Sequence, residues 1–272
     1  MKQNLHTHTV YCDGRDTPAE MAEEAIRLGF DSLGFSGHGR LSIDQAAMTP
    51  EAQEAYIKDV LKLQQRMQDR LKIYLGLEQD VRGRCPEKKP FAYIIGSVHF
   101  LEADGVILPL DHSPEIFLRI LNELYHGDPA ALAKAYYAEV RQMADWDEVD
   151  IIGHLDLITK FKERIPGLSF DDSVSIQAAL SCIDVLAPCK LFEVNTGAIA
   201  RGYRHDPYPS EKLLRYMHER HARLVLSSDC HDRRYLDCFF PEALEMIQRC
   251  GFRSLYVLGD NGFEEHDISE FD

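Results

Sequence analysis

Two histidines near the start of the chain, His6 and His8, and an acid–histidine pair near its end, Asp229 and His231, each follow a short apolar stretch. Those stretches read as strands, and in a strand residues i and i+2 point to one face. Each doublet can therefore aim two ligand atoms at one point. Imidazole nitrogen and carboxylate oxygen are the donors of catalytic metal sites. Further residues of these types recur along the chain: Asp13, His38, Glu78, His99 and His154. Six imidazoles and three carboxylates are too many for one ion and enough for three. The chemistry such a set suits is hydrolysis. Neutral imidazoles hold Zn²⁺, Mn²⁺ or Fe²⁺, a carboxylate bridges two ions, and open positions admit water and a phosphate oxygen.

The elements that must position these residues alternate between strand and helix. Gln3–Leu5 reads as a strand. Thr17-Pro18-Ala19-Glu20 opens a helix with a Thr cap, a proline at the first helical position and a glutamate three residues after the cap. Asp31–Phe35 is the next strand. Pro50–Leu71 is a long helix with Tyr56, Val60, Leu63 and Met67 on one side. Strands are expected at Lys72–Leu77, Phe91–Val98, Val149–Gly153, Leu191–Val194, Arg223–Ser227 and Ser254–Leu258. Helices are expected at Pro114–Tyr125, Pro129–Trp146, Val174–Leu186, Ser210–Arg220 and Pro241–Arg249. The alternation implies a parallel α/β fold. His6, His38, Glu78, His99, His154 and Asp229 each fall at or just past the C-terminal end of a different strand. Active sites of α/β barrels are built at that end. An open doubly wound sheet builds its site at one crevice from fewer strands. The spread over six strands therefore argues for closure into a ring.

The chain has 272 residues, close to one barrel's worth, and no low-complexity linker or repeat divides it, so residues 1–272 are expected to form a single domain. A formal net charge of −15 argues against a long nucleic-acid partner and, more weakly, against an anionic membrane surface. A cluster of bound cations would still make a locally positive site. Seven cysteines with no Cys-x-x-Cys spacing read as reduced thiols. The sequence runs straight into the His6 strand without a basic-then-apolar leader, and no apolar run approaches the ~18 residues of a membrane span. A soluble, cytoplasmic protein is expected. The oligomeric state is left open.

Taken together, His6-Thr7-His8, Tyr11-Cys12-Asp13, Ser36-Gly37-His38, Gly76-Leu77-Glu78, Gly96-Ser97-Val98-His99, Gly153-His154-Leu155-Asp156, Asn195-Thr196-Gly197 and Ser228-Asp229-Cys230-His231 resemble the PHP (polymerase and histidinol phosphatase) family. The motifs span the chain in the family's order. With Pro207-Tyr208-Pro209-Ser210 added, the likeness is greatest to the stand-alone histidinol-phosphate phosphatases of that family. The resemblance implies a distorted (β/α)7 TIM-like barrel with its metal site at the C-terminal ends of the strands, and one strand fewer than the pattern suggests. It also implies two or three divalent ions. His6, His8, Glu78 and Asp229 would hold one; Glu78, His99 and His154 a second, with Glu78 bridging; Asp13, His38 and His231 a third.

The implied reaction is hydrolysis of L-histidinol phosphate, a small-molecule phosphate ester, to L-histidinol and phosphate, as in histidine biosynthesis. Asp229, His231 or a metal-bound water would protonate the leaving oxygen. The phosphate also needs cationic side chains. Lys160 and Arg201 stand at about the positions where related phosphatases grip it, and Arg204 lies nearby. Lys160 presents a point charge where arginine would present a fork. Asp156 and Asn195 can orient ligands or cap turns, and Cys230, between two ligands, is expected in the core. Rival readings are a PHP phosphoesterase acting on nucleotides or oligonucleotides, a PHP-type protein-tyrosine phosphatase, and a metal-stabilised binding module without activity.

Overall fold

A computed structural model describes residues 1–85 and 87–271. Strand and helix alternate from the start. β1 (Gln3–Asn4), α1 (Pro18–Arg27), β2 (Ser32–Phe35), α2 (Pro50–Met67) and β3 (Lys72–Asp80) follow one another, and β4 (Tyr93–Ser97) comes next. Then β5 (Phe100–Ala103) and β6 (Val106–Pro109) form a hairpin, and α3 (Pro114–Arg119) and α4 (Pro129–Arg141) lead to β7 (Ile151–Ile152). After these come α5 (Ser173–Leu186), β8 (Leu191–Asn195), α6 (Gly197–Ala200), α7 (Glu211–Glu219), β9 (Arg223–Ser227) and α8 (Phe240–Arg249). A final hairpin pairs β10 (Ser254–Gly259) with β11 (Gly262–Asp267).

Local chemistry starts these elements where the sequence indicates. Thr17 Oγ1 accepts the Glu20 N–H at 3.3 Å, and the Glu20 carboxylate accepts the Thr17 N–H at 2.9 Å. With Pro18 at the first helical position, α1 has the reciprocal cap expected of it. Along α2, Tyr56, Val60, Leu63 and Met67 are the buried residues, at the helical period read from the sequence.

Seven strands form one sheet in the order β1-β2-β3-β4-β7-β8-β9, each pair parallel. The sheet returns on itself. Just past β1 and β9, the His8 N–H donates to the Cys230 carbonyl at 2.8 Å, and the Cys230 N–H donates to the His6 carbonyl at 3.1 Å. The result is a nearly closed barrel with helices outside. Inside it, Tyr93 occupies space that Gly34 and Gly76 leave; a Cβ on either would lie 2.3 or 2.2 Å from Tyr93 atoms.

Two features refine the sequence reading. The strand at Ser254 forms but stays out of the barrel, which has the one strand fewer that the resemblance implies, and pairs antiparallel with β11. This hairpin lies across the end where the barrel strands begin. The Tyr74 hydroxyl donates to the Leu258 carbonyl at 2.6 Å, and the Leu258 N–H donates to Gln3 Oε1 at 2.9 Å. Leu258 belongs there to one buried apolar cluster with Leu5, Tyr93, Ile95, Ile151, Leu191 and Val225. The second feature is the β5–β6 hairpin after His99, which the sequence reading did not assign. Its two-residue turn is Asp104-Gly105, with φ 52° and 76°. Asp-Gly is the pair that tolerates positive φ at both turn positions. No helix among the described residues is long and apolar enough to cross a membrane.

Candidate metal centre

The nine candidate ligands meet at the end of the barrel opposite the β10–β11 hairpin. β1 runs into His6 and His8, β2 leads to His38, β3 carries Glu78, and β4 leads to His99. β7 leads to His154, β9 to Asp229 and His231, and the turn after His8 brings in Asp13. Alternation along each strand aims these side chains inward.

Four atoms form a tight first set. His6 Nε2 lies 3.3 Å from Glu78 Oε2 and 3.6 Å from Asp229 Oδ1. His8 Nε2 lies 3.5 Å from Glu78 Oε2 and 3.2 Å from Asp229 Oδ1. A tetrahedral ion with bonds of about 2.0–2.2 Å needs ligand atoms about 3.3–3.6 Å apart, so the set has the right size. Moreover, His6 Nε2, His8 Nε2 and Glu78 Oε2 are buried without a hydrogen-bond partner among the described residues. Buried polar atoms are rarely left in that condition, and a cation between them satisfies all three at once.

The other oxygen of Glu78 faces a second set. Glu78 Oε1 lies 3.1 Å from His154 Nε2 and 3.4 Å from His99 Nε2, and accepts the Ser97 hydroxyl at 2.6 Å. One carboxylate thus divides its two oxygens between two groups of imidazoles. A third set is more open. Asp13 places Oδ2 3.1 Å from His231 Nε2, and Oδ1 3.6 Å from both His38 Nε2 and His8 Nδ1. His38 stands between sets, with Nδ1 3.0 Å from Glu78 Oε2. The His8 ring stacks on His231 at a centroid distance of 4.1 Å.

Electrostatics follow from this crowding. Burial opposes ionisation of Glu78, but His6, His38, His99 and His154 around it hold its carboxyl well below the usual range. Burial likewise opposes ionisation of Asp229, yet Arg201 and His6 keep it ionised. Burial would push His6 down, but the Glu193, Glu78 and Asp229 carboxylates outweigh it and raise its pKa. His8 has the opposite balance: burial and the neighbouring His231 and His38 lower it to about 3. Asp229 also holds φ at 47°, a conformation uncommon for a residue with a Cβ. The backbone hydrogen bonds of Cys230 and the Arg201 contacts fix it there.

Around the ligands lies a layer of carboxylates that the sequence reading missed. Glu193 Oε2 faces His6 Nδ1 at 2.8 Å. Asp80 Oδ2 faces His99 Nδ1 at 3.2 Å and accepts the His99 N–H at 2.6 Å. Each stands two residues from a residue already singled out, Glu193 from Asn195 and Asp80 from Glu78. For Glu193, a charged residue inside an apolar strand was the available signal. Asn195 serves both roles considered for it: its amide donates to Glu193 Oε1 at 2.8 Å and its Oδ1 accepts the Gly197 N–H at 2.9 Å. Asp156 lies further out, where its carboxylate accepts the Ser210 N–H at 3.0 Å. Cys230 is buried, its thiol turned to the Asp232 carbonyl at 2.9 Å.

A cavity of about 360 Å³ opens over the ligands. Lys160 and Arg201 both line it. Lys160 Nζ donates to the Asp111 carbonyl at 2.7 Å and to Asp111 Oδ2 at 3.0 Å. Arg201 Nη2 donates to Asp229 Oδ2 at 2.8 Å, and its Nη1 to the Asp229 carbonyl at 3.0 Å. Arg204, expected with them, is elsewhere. It is 2% exposed, with Nη2 3.0 Å from Asp206 Oδ2 and Nη1 3.7 Å from Asp156 Oδ2, and its guanidinium rests on the Tyr208 ring. Two carboxylates and an aromatic face occupy it fully, so it does not reach the cavity. His205 points to solvent and pairs with Glu163. His112, Asp44 and Asp111, none of them among the residues picked out above, also line the cavity. They come from loops whose path no strand pattern reveals.

Comparison with known proteins bears on this arrangement. The PHP domain family model matches residues 4–197. A protein of Deinococcus radiodurans named "Probable histidinol-phosphatase" is 31% identical over 268 residues, covering 92% of this chain and 94% of that protein. A Bacillus subtilis protein named histidinol-phosphatase is 26% identical, covering 85% of this chain and 93% of that protein. The crystal structure of histidinol phosphate phosphatase from Lactococcus lactis subsp. lactis, complexed with Zn, L-histidinol and phosphate, superposes with a TM-score of 0.76. Its sequence is 20% identical, and the match covers 97% of this chain and 98% of that one. At that identity the likeness is one of fold.

Proposed function

Since this chain belongs to the PHP-domain family, we propose that it is a metal-dependent phosphomonoesterase that hydrolyses L-histidinol phosphate to L-histidinol and phosphate. The observation that carries the reaction type is the division of Glu78 between two imidazole groups, with the orphaned His6 and His8 Nε2 atoms beside its own orphaned Oε2. The substrate rests on the named function of relatives that align over nearly the whole chain. We take residues 1–272 as one catalytic unit, because a single ligand set draws on His6 and on Asp229.

Two or three divalent ions fit the nine ligands, with zinc the first to test. When bound they would supply Lewis acidity that neutralises phosphoryl charge and makes water more acidic. The chain's own groups do the rest. Lys160, held in place by Asp111, offers the phosphate a point charge. Arg201 spends at most three of its five N–H donors on Asp229 and His231, which leaves donors for a phosphoryl oxygen. Asp229 is held ionised and carries no proton to give near neutral pH. That leaves His231, when no ion occupies the third set, or a bound water as the source of the leaving-group proton. The substrate's amine needs a carboxylate outside the ligand sets. Asp111 is committed to Lys160, so we assign the amine to Asp44 at the mouth. A cavity of about 360 Å³ suits one small ester rather than a polymer.

The test is phosphate release from L-histidinol phosphate beside nucleotides, sugar phosphates and phosphotyrosine peptides. The highest kcat/KM is expected on histidinol phosphate; a faster rate on nucleotides or phosphotyrosine would move the protein to another branch of the family. Asp44→Asn should raise KM for histidinol phosphate and leave KM for an amine-free ester unchanged. An equal rise for both esters would remove Asp44 from amine recognition.

A further inference from the structure

Glu193 sits in the middle of β8 and is fully buried beneath the candidate ligands. A buried carboxylate needs hydrogen bonds on both oxygens. Glu193 has four partners. Its Oε2 faces His6 Nδ1 at 2.8 Å and accepts the Ser227 hydroxyl at 2.6 Å. Its Oε1 accepts the His154 backbone N–H at 2.6 Å and the Asn195 amide at 2.8 Å. These partners come from the ends of β1, β7, β8 and β9, so one carboxylate ties four strands together beneath the ligands.

We infer that Glu193 is a positioning residue that sets the tautomer of His6 and so keeps the His6 Nε2 lone pair pointed into the first ligand set; the inference rests on the metal reading above. An ionised carboxylate only accepts hydrogen bonds. His6 Nδ1, facing it, must therefore carry the hydrogen, which leaves the Nε2 of a neutral ring with its lone pair free. That nitrogen is the buried atom without a hydrogen-bond partner among the described residues, 3.3 Å from Glu78 Oε2. Carboxylates behind metal-bound histidines act in this way generally. Here the same carboxylate also holds the backbone of His154, a ligand of the second set. Glu193 thus sets both groups that flank Glu78.

Glu193→Gln isolates this role, because it keeps the shape and turns one acceptor into a donor. If the new carbonyl keeps the His154 and Asn195 hydrogen bonds, the new NH₂ faces His6 Nδ1 and can only donate. His6 must then carry its hydrogen on Nε2, aimed into the ligand set. The other amide rotamer would put the NH₂ against two N–H donors.

The experiment uses the full chain stripped of metal. Zinc affinity is measured by competition with a chromophoric chelator, and melting of the metal-free protein is followed in parallel. Glu193→Gln should bind its tightest zinc about 10–100-fold more weakly, the usual effect of losing such a partner, while the metal-free variant stays folded at the temperature of the titration. In the zinc-loaded parent, ¹⁵N NMR of His6 should show a protonated Nδ1 and a metal-bound Nε2. That measurement decides the matter alone if the variant does not fold. Unchanged affinity in a folded variant, or a protonated Nε2 in the loaded parent, overturns the inference and leaves the metal reading standing. Failure of the parent to bind zinc, manganese or iron overturns both.

Discussion

At the scale of single residues, the contrast between Lys160, Arg201 and Arg204 is one of company. Lys160 and Arg201 each have a carboxylate beside them, yet both still face the cavity. Replacing either by alanine should lower kcat/KM for histidinol phosphate about ten- to a hundred-fold, the loss of one charged hydrogen bond worth about 1.5–3 kcal/mol. Steady-state kinetics at fixed metal load checks this, and an effect under twofold would remove that residue from the phosphate site. Arg204→Met should behave differently. It strands the buried Asp156 carboxylate, whose pKa burial already raises against the pull of Arg204. Breaking such a pair costs about 3–5 kcal/mol of stability. Denaturant unfolding should show that loss while kcat/KM of the folded enzyme stays near the parent value. The reverse pattern would return Arg204 to the substrate.

At the scale of elements, the two ends of the barrel divide the work. One end carries every candidate ligand; the other is closed by the β10–β11 hairpin. Leu258 is 5% exposed at the centre of that closure. Leu258→Ala should cost about 2–5 kcal/mol of stability, as large-to-small core changes do, with metal stoichiometry and KM unchanged. Chemical denaturation and elemental analysis together test this, and loss of metal in the folded variant would show that the two ends are coupled. The hairpin was half legible. Ser254–Leu258 reads as a strand, but nothing in an apolar run tells a strand inside a barrel from one laid across its end. The β5–β6 hairpin was legible in its Asp104-Gly105 turn.

At the scale of the molecule, a chain of net charge −15 concentrates imidazoles at one mouth, and protons or metal ions must satisfy them. Without metal, His6, His38 and His99 are raised above their ordinary value: burial alone would lower each, but the carboxylates beside them prevail. A raised base contributes stability that is full below its unfolded pKa of about 6.5 and is lost as pH rises through its folded pKa. His8, lowered to about 3, adds stability with rising pH only up to its unfolded value. Above pH ~6.5 the metal-free protein should therefore lose stability as pH rises. Bound ions replace those protons, so the gap between zinc-loaded and metal-free melting temperatures should widen from pH ~6.5 to ~8.5. A gap that narrows over that range would refute the exchange of protons for metal.

What the sequence determined by itself was the set of candidate ligands and the kind of fold. Ligand types are written in the residues, and a strand's period of two states which of them share a face. His6 with His8 and Asp229 with His231 were readable on that ground, and six strand ends bearing ligands required a closed sheet. Only the tertiary structure decided which atoms meet. That Glu78 turns one oxygen to His6 and the other to His154 depends on strand order and register, which no single strand records. That Glu193 stands behind His6 depends on barrel closure, which brings β8 opposite β1. That Arg204 is buried while Lys160 and Arg201 face the cavity depends on the paths of two loops, whose course is set by what they pack against.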